Sequence, residues 1–403
     1  MADALETFWD GLHIGVFTRE AGRVRFVYDD DAPEYPVSLS LPRLGGWTRR
    51  APEVFLDNLL PNNPRVRQLW SDSLQTPNTP FDLLGQVGED VAGALSFLPE
   101  GQTLERVSTP VEVASDDEIA ARIAAIQRNP DMWLNREQLG KARMSLAGAQ
   151  GKFSLSRIGE TWVWPTISRP STHILKPKLS WLDETISLEH GGQLLASRIG
   201  LPAAKSSVLE FRSQQAYVTE RFDRAEIDGA LHRVHMEDVA QALGISADRK
   251  YEIRADQAIR LLWDRVSTDS AYDFVRLLAY NTAIGNADAH GKNYSIFLGQ
   301  SMSLAPLYDA VPTTVWPELT DKRLAMPITG ATIAQAVQES HWAKLARRTG
   351  LDEDRILVIV REVATGVREQ AHDAFQDAGV SAGMLERLDV LFKKTTAKFG
   401  KPI

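Results

Sequence analysis

Within nine residues, Gly285-Asn286-Ala287-Asp288-Ala289-His290-Gly291-Lys292-Asn293, the chain sets an Asp five positions before an Asn, and a second Asp follows sixteen positions later in Leu307-Tyr308-Asp309. These groups suit phosphoryl transfer. One carboxylate accepts the proton of an attacking hydroxyl, while an Asn and a second carboxylate hold magnesium against the phosphates of a nucleotide. Magnesium is a hard cation that keeps several waters and takes few protein ligands, so oxygen donors are the right type. Alone, the D-x-x-x-x-N spacing also describes a solvated polar loop. It constrains the fold only through the elements that accompany it and their order.

Those elements lie upstream. Arg143-Met144-Ser145-Leu146-Ala147-Gly148-Ala149-Gln150-Gly151-Lys152 is a loop of small residues running into a strand-like alternation over 153–158. Small residues let backbone N–H groups approach phosphate oxygens. Ser171-Thr172-His173-Ile174-Leu175-Lys176-Pro177 reads as a short buried strand ending on a lysine, a compact charge suited to nucleotide phosphates. The alternative is a lysine that snorkels to the surface. The pattern predicts a helix over about 183–199, stopped by Gly200 and Pro202, with Glu189 placed to pair with Lys176. Gly191 and Gly192 work against that helix, each by about 1 kcal/mol relative to Ala. The strand-like 215–220 then leads into Arg221-Phe222-Asp223-Arg224. In a kinase the lobes join here and adenine sits here; the plainer reading is an exposed ion-pair patch. Ser145 on its own would be an ordinary loop hydroxyl, and His290 is either a structural histidine or a phosphate or metal contact.

Four motifs, Ser145 to Lys152, Thr172 to Lys176, Thr219-Glu220-Arg221-Phe222-Asp223-Arg224 and Asn286 to Asn293, together resemble the HipA family of bacterial serine/threonine kinase toxins. Asp57 to Asn62 followed by Arg65-Val66-Arg67, and Leu84 to Asp90 with Gly93-Ala94-Leu95, resemble that family's amino-terminal accessory subdomain. The resemblance implies an α+β, two-lobed protein-kinase-like fold, with ATP in the cleft between a β-rich N-lobe and an all-α C-lobe. It implies Asp288 as catalytic base, Asn293 and Asp309 as Mg2+ ligands, and Lys176 as the phosphate-pairing lysine. Ala147, Gly148, Ala149, Gln150 and Lys152 match the nucleotide loop. Glu220, Arg221 and Phe222 match the adenine hinge, and His290, Lys292, Asn293, Tyr308 and Asp309 the phosphate side. Ser145 matches a serine that such kinases phosphorylate on themselves, which expels the loop and stops the enzyme. Family members phosphorylate aminoacyl-tRNA synthetases, are held by a small HipB-like helix-turn-helix antitoxin, and reach operator DNA as co-repressor through that antitoxin. Against ordinary kinases the chain has no G-x-G-x-x-G and no H-R-D, and carries Tyr308-Asp309-Ala310 for D-F-G. Gly151 stands where the family pattern would place a larger residue, often Glu, which loosens the loop. Two other readings share parts of this pattern: a small-molecule kinase, and an inactive nucleotide-binding co-repressor.

Competing motifs fall away on context. Gly379-Val380-Ser381-Ala382-Gly383 matches G-x-S-x-G, but that motif needs a preceding strand. The segment before it is helically periodic, so Gly379 reads as a C-cap and Ser381 as the next N-cap. Position 146 is Leu and Phe153 follows Lys152, so G-x-x-x-x-G-K-[ST] is absent.

The 403 residues, 43% of them hydrophobic, suffice for two or three domains. With no cysteine, disulfides, thiolate zinc sites and cysteine nucleophiles are excluded, as suits a reducing cytoplasm. The first residues have neither a basic start nor an apolar core, so no signal peptide is expected, and no run approaches a membrane span. A net charge of −8 argues against direct DNA binding. Lys344 with Arg347 and Arg348 reads as a solvated helix face, the alternative being contact with DNA delivered by a partner.

The expected organisation is an accessory subdomain over 1–110, a nucleotide-binding N-lobe over 111–225 and a helical C-lobe over 226–403 carrying the catalytic and metal loops. Strands 13–17 and 24–28 form a hairpin with a somewhat longer loop around Ala21-Gly22, and 52–73 is helical with a break at 61–64. An alternating strand spans 91–98, a linker 99–110, and the Ser115/Glu118 capping box opens a helix to about 127. Beyond Met236 the chain reads as mostly helical, apart from the catalytic loop and short strands at 294–297 and 303–307.

Overall fold

The computed structural model describes residues 3–104, 111–131, 147, 148 and 150–400; Ser145, Ala149 and the second half of the expected linker lie outside the described residues. Internal contacts divide the chain into two compact units. The first is drawn from Met1–Pro177, Leu209–Asp248 and Phe297–Ser301, the second from Lys178–Val208, Arg249–Ile296 and Met302–Ile403.

The first unit opens with strands β1 (Ala4–Trp9), β2 (Leu12–Glu20), β3 (Arg23–Tyr28) and β4 (Leu95–Pro99), an antiparallel sheet in the order β3-β2-β1-β4. Both hairpins are two-residue turns. Asp10-Gly11 joins Trp9 to Leu12, and Ala21-Gly22 joins Glu20 to Arg23, with all four turn residues at positive φ. The second loop is therefore tighter than expected. This mirror-image turn matches strand twist, and the fit holds Ala21 at φ 48.

Helices Ala51–Asn58, Pro64–Leu74 and Pro80–Val87 follow, each with Pro in its first turn, where a missing N–H costs nothing. Asn63 and Thr79 cap the latter two through the N–H groups of Arg65 (2.9 Å) and Asp82 (3.2 Å). Phe17, Phe26, Phe55, Leu84 and Phe97 fill the core beneath the sheet. The strand expected over 91–98 is shortened to β4 and does not alternate, because Leu95 to Leu98 are all buried. Val91 and Gly93 are drawn instead onto a buried charge cluster.

Strands β5 (Phe153–Ile158), β6 (Thr161–Val163), β7 (His173–Pro177), β8 (Ser206–Phe211) and β9 (Gln214–Glu220) make a second sheet in the order β6-β5-β7-β9-β8. The helix Asp116–Arg128, opened by both bonds of the Ser115/Glu118 capping box, packs Ile119 and Ile123 against Phe153, Leu155, Leu175 and Val218.

In the second unit the long helix Glu353–Asp377 packs against Thr185–Arg198, Thr268–Ala283, Glu339–Thr349 and Ala382–Thr396. Gly191 and Gly192, which weakened the helix prediction, are explained by close approach. A Cβ at 191 would lie 2.4 Å from the Phe375 ring, and one at 192 would lie 2.0 Å from the Ala310 carbonyl oxygen. Gly379 closes the long helix at φ +79, and Ser381 starts the next one. The Ser381 hydroxyl donates to Glu184 Oε1 (2.6 Å), which disposes of the hydrolase motif.

A hairpin of Arg323–Ile328 and Ala331–Ile333, turning at Thr329-Gly330, was not foreseen; Pro327 speaks against a strand, yet is tolerated on this two-stranded edge. The strand expected over 303–307 is only Ser303–Leu304. Arg347 pairs with Glu353 (2.6 Å) and Arg348 with Asp256 (2.8 Å), so much of that basic cluster is already neutralised. Among the described residues, no helix is long and apolar enough to cross a membrane.

Candidate active site

In the second unit, the helix Thr268–Ala283 ends in a tight turn with Gly285 at φ +72, and the following loop is pinned from several sides. Thr314 Oγ1 donates to the Gly285 carbonyl (2.8 Å), and the Ala287 N–H donates to Thr313 Oγ1 (2.7 Å). The Ala325 N–H donates to the Ala287 carbonyl (2.9 Å). Asn286 sits at the centre: its Nδ2 donates to Asn281 Oδ1 (2.8 Å) and to the Asp309 carbonyl (3.3 Å), and its Oδ1 accepts from the Asp288 N–H (3.1 Å). A polar loop is thereby made rigid, as an acid–base group requires.

The loop brings together four of the residues that the sequence singled out, Asn293 with Asp309 and Lys292 with Tyr308. Asn293 closes the short 3-10 turn Gly291–Asn293, and its Nδ2 donates to Asp309 Oδ2 (2.8 Å). Asn293 Oδ1 is buried and, among the described residues, has no hydrogen-bond partner. Asp309 lies at φ 58, a left-handed conformation that costs energy in a non-glycine residue and tends to persist at functional sites. Gln193, with its amide turned to satisfy both neighbours, accepts from the Asp309 N–H (3.1 Å) and donates to the Leu307 carbonyl (3.2 Å). Tyr308 donates to the Lys292 carbonyl (2.7 Å).

Asp288 is exposed, and one of its oxygens, Oδ1, accepts from the Tyr251 hydroxyl at 2.6 Å. Partial desolvation pushes its carboxyl upward and the negative charge of Asp309 adds to this, while the Tyr251 bond and the Lys250 charge oppose it. His290 is buried, with no partner for Nδ1 among the described residues, and its ring stands edge-on to Tyr251 at 5.0 Å. Burial, followed by the Lys250 charge, lowers its imidazole to about 3, so it is a neutral ring at physiological pH. Lys250 and Tyr251 were missed from sequence, because a Lys-Tyr pair in a polar segment carries no motif.

In the first unit, Lys176 is buried on β7 opposite Tyr217, its ammonium 5.6 Å from the ring centroid. Lys152 Nζ donates to the Ala147 carbonyl (2.8 Å), Gln150 Nε2 to the Pro177 carbonyl (3.4 Å), and the Asn62 N–H to the Gly148 carbonyl (2.9 Å). Glu220 ends β9, and the Phe222 ring packs edge-to-face on Phe297 at 5.9 Å. Glu189 is buried on the second unit's helix Thr185–Arg198.

Arg221 was expected at the adenine hinge, with an exposed ion-pair patch as the alternative. Neither describes its side chain, which is buried in a five-charge cluster with Asp90, Asp223, Arg224 and Arg233. Its guanidinium donates to both oxygens of Asp223 (3.0 and 2.7 Å), Ser171 Oγ (2.8 Å), Asp90 Oδ1 (3.4 Å) and the Val91 carbonyl (2.8 Å). All five donors are engaged, so the side chain is structural.

Residues 144–371 match the HipA-like C-terminal domain and residues 5–98 the HipA N-terminal domain. The chain belongs to the HipA family. It is 34% identical over 386 residues to Y4mE of Sinorhizobium fredii, a protein provisionally named a kinase, covering 92% of this chain and 90% of that one. It is 31% identical over 330 residues to the serine/threonine-protein kinase toxin HipA of Shewanella oneidensis, covering 77% and 74%. The structure of the Shewanella oneidensis complex of HipA, HipB and its operator DNA matches with a TM-score of 0.82 and 26% identity, over 98% of this chain and 96% of that one. The α+β, kinase-like HipA fold expected from the motifs is the fold found.

Proposed function

We propose that this HipA-family chain is an ATP- and magnesium-dependent serine/threonine protein kinase and the toxin of a toxin–antitoxin pair. The observation that carries the reading is the rigid loop that offers Asp288 to solvent while tying Asn293 to Asp309. Asp288 takes the proton of the acceptor hydroxyl as that oxygen attacks phosphorus. Asn293 Oδ1, buried with no partner among the described residues, and the Asp309 carboxylate form an oxygen pair that fits magnesium. Bound there, the ion would neutralise charge on the phosphates.

Lys176, Lys152 and the 147–150 loop are assigned to the phosphates, as are Lys292, His290 and Tyr308. Glu220 and Phe222 are assigned to adenine, and Glu189 to support of Lys176. Because little covalent chemistry falls to the protein, positioning and electrostatics supply the rate. The substrate is taken to be a translation component such as an aminoacyl-tRNA synthetase, with Ser145 modified in the chain itself. A HipB-like antitoxin in the cytoplasm would hold the chain and carry it to operator DNA; the solved Shewanella complex of HipA, HipB and operator DNA supports this partner.

The test is transfer of label from γ-labelled ATP to protein. Asp288→Asn should reduce it by at least about 100-fold, the scale of general base catalysis, with the unfolding midpoint unchanged. Undiminished transfer by that variant would falsify the base assignment. Label appearing only on small molecules, or ATP binding without turnover in the native chain, would overturn the protein-kinase reading.

A further inference from the structure

Among the described residues Asp288 receives one side-chain hydrogen bond, and its donor lies outside every motif of the chain. The Tyr251 hydroxyl donates to Oδ1 at 2.6 Å, a short O–H···O⁻ contact between partners 37 residues apart. Among the described residues nothing donates to Oδ2. One oxygen of the carboxylate is thus tied down, and the other is presented to solvent in a set direction.

Tyr251 is itself held in place although it is 53% exposed. The buried Lys250 ammonium lies 5.0 Å from its ring centroid, and the neutral His290 ring meets it edge-on at 5.0 Å. Beside it, Arg249 Nε donates to Glu252 Oε2 at 2.8 Å and stiffens the same turn. Such an exposed aromatic adds little to core packing. Among the described residues its hydroxyl has no other protein partner than the carboxylate. A base oriented by a third group is the general arrangement for acid–base sites, because a swivelling carboxylate must be re-aimed at every turnover.

We infer that Tyr251 is a positioning residue for Asp288, fixing the carboxylate through Oδ1 so that Oδ2 faces the incoming hydroxyl, an assignment that rests on Asp288 being the base. Lys250 serves the same end by holding the phenol. The substrate chemistry is untouched: the proton passes from the acceptor hydroxyl to Oδ2, and the phenol keeps its own.

The experiment compares the native full chain with Tyr251→Phe, Tyr251→Ala and Asp288→Asn. Transfer from γ-labelled ATP is measured onto the chain itself and onto a mixed serine/threonine peptide pool, with ATP varied. Tyr251→Phe keeps the ring against Lys250 and His290 and removes one oxygen. It should lower kcat about tenfold or more, leaving the KM for ATP and the thermal unfolding midpoint at native values. Tyr251→Ala should lose no less. An unchanged or increased kcat in Tyr251→Phe, or a change confined to the KM for ATP, overturns the positioning role. If Asp288→Asn transfers label normally, the base assignment is what has failed; if it is inactive while Tyr251→Phe equals the native chain, only the Tyr251 inference falls.

Discussion

Removing Asp90 should be among the most damaging single changes in the first unit. Its carboxylate accepts from Arg224 Nη2 (2.7 Å), Arg233 Nη1 (3.1 Å) and Arg221 Nη1 (3.4 Å), and from the N–H (2.9 Å) and hydroxyl (2.7 Å) of Ser171. In Asp90→Ala, three buried guanidinium groups would face Asp223 as the remaining carboxylate of the cluster. Breaking a buried pair by deleting one partner costs about 3–5 kcal/mol, because the other charge stays behind without compensation. Against a typical total of about 5–15 kcal/mol, that is a large share.

Urea unfolding of the full chain at pH 7, followed by circular dichroism, measures the loss. Adding Arg233→Met to Asp90→Ala removes one stranded charge and should restore roughly 1–3 kcal/mol as coupling between neighbours. The pH dependence has a defined sign. Burial disfavours both carboxylates, but the arginines outweigh it, holding Asp90 well below the usual range and Asp223 at about 2. Their contribution is therefore complete above about pH 4 and is lost as pH falls through the folded values. A loss below about 1 kcal/mol in Asp90→Ala, with no coupling to Arg233, would refute the reasoning, since surface pairs behave that way.

His235 predicts a second pH effect at milder acidity. Its ring accepts the Ala94 N–H at Nδ1 (3.2 Å) and meets the Val37 carbonyl at Nε2 (2.8 Å), an arrangement met by the neutral tautomer, and burial lowers its pKa to about 4. The unfolded chain thus binds the extra proton first. Stability should fall by about 2 kcal/mol between pH 7 and pH 5, and His235→Gln should flatten that slope in a thermal-shift series. Gly192→Ala sets propensity against sterics: Ala gains about 1 kcal/mol in a helix, but its Cβ would sit 2.0 Å from the Ala310 carbonyl oxygen. A lower melting temperature and weakened label transfer are expected; a stabilised, fully active variant would show that the contact relaxes freely.

Local features were legible in the sequence because near neighbours set them. Ser115 and Glu118 cap one helix, Pro64 and Asn63 start another, and Gly379 ends a third, each through groups a few residues away. The Asp288, Asn293 and Asp309 spacing fell in the same class, since one loop and one turn suffice to present it. Where local rules conflicted with packing, they misled. Glycines at 191 and 192 counted against a helix, although the helix needs them to approach Phe375 and Ala310. Pro327 and the Thr329-Gly330 turn concealed a hairpin, and an apparent alternation over 91–98 made β4 look longer than it is.

By itself, then, the chain determined its family, most of its element types and the polar set offered by the 285–309 region. Only the tertiary structure decided that Arg221 belongs to a buried cluster shared with Asp90 and Arg233, and that Tyr251 binds Asp288. The physical reason is range. Capping, turns and periodicity are satisfied within a few residues, but a charge can be buried only where distant segments bring its counter-charge, and no local pattern records which segments will meet.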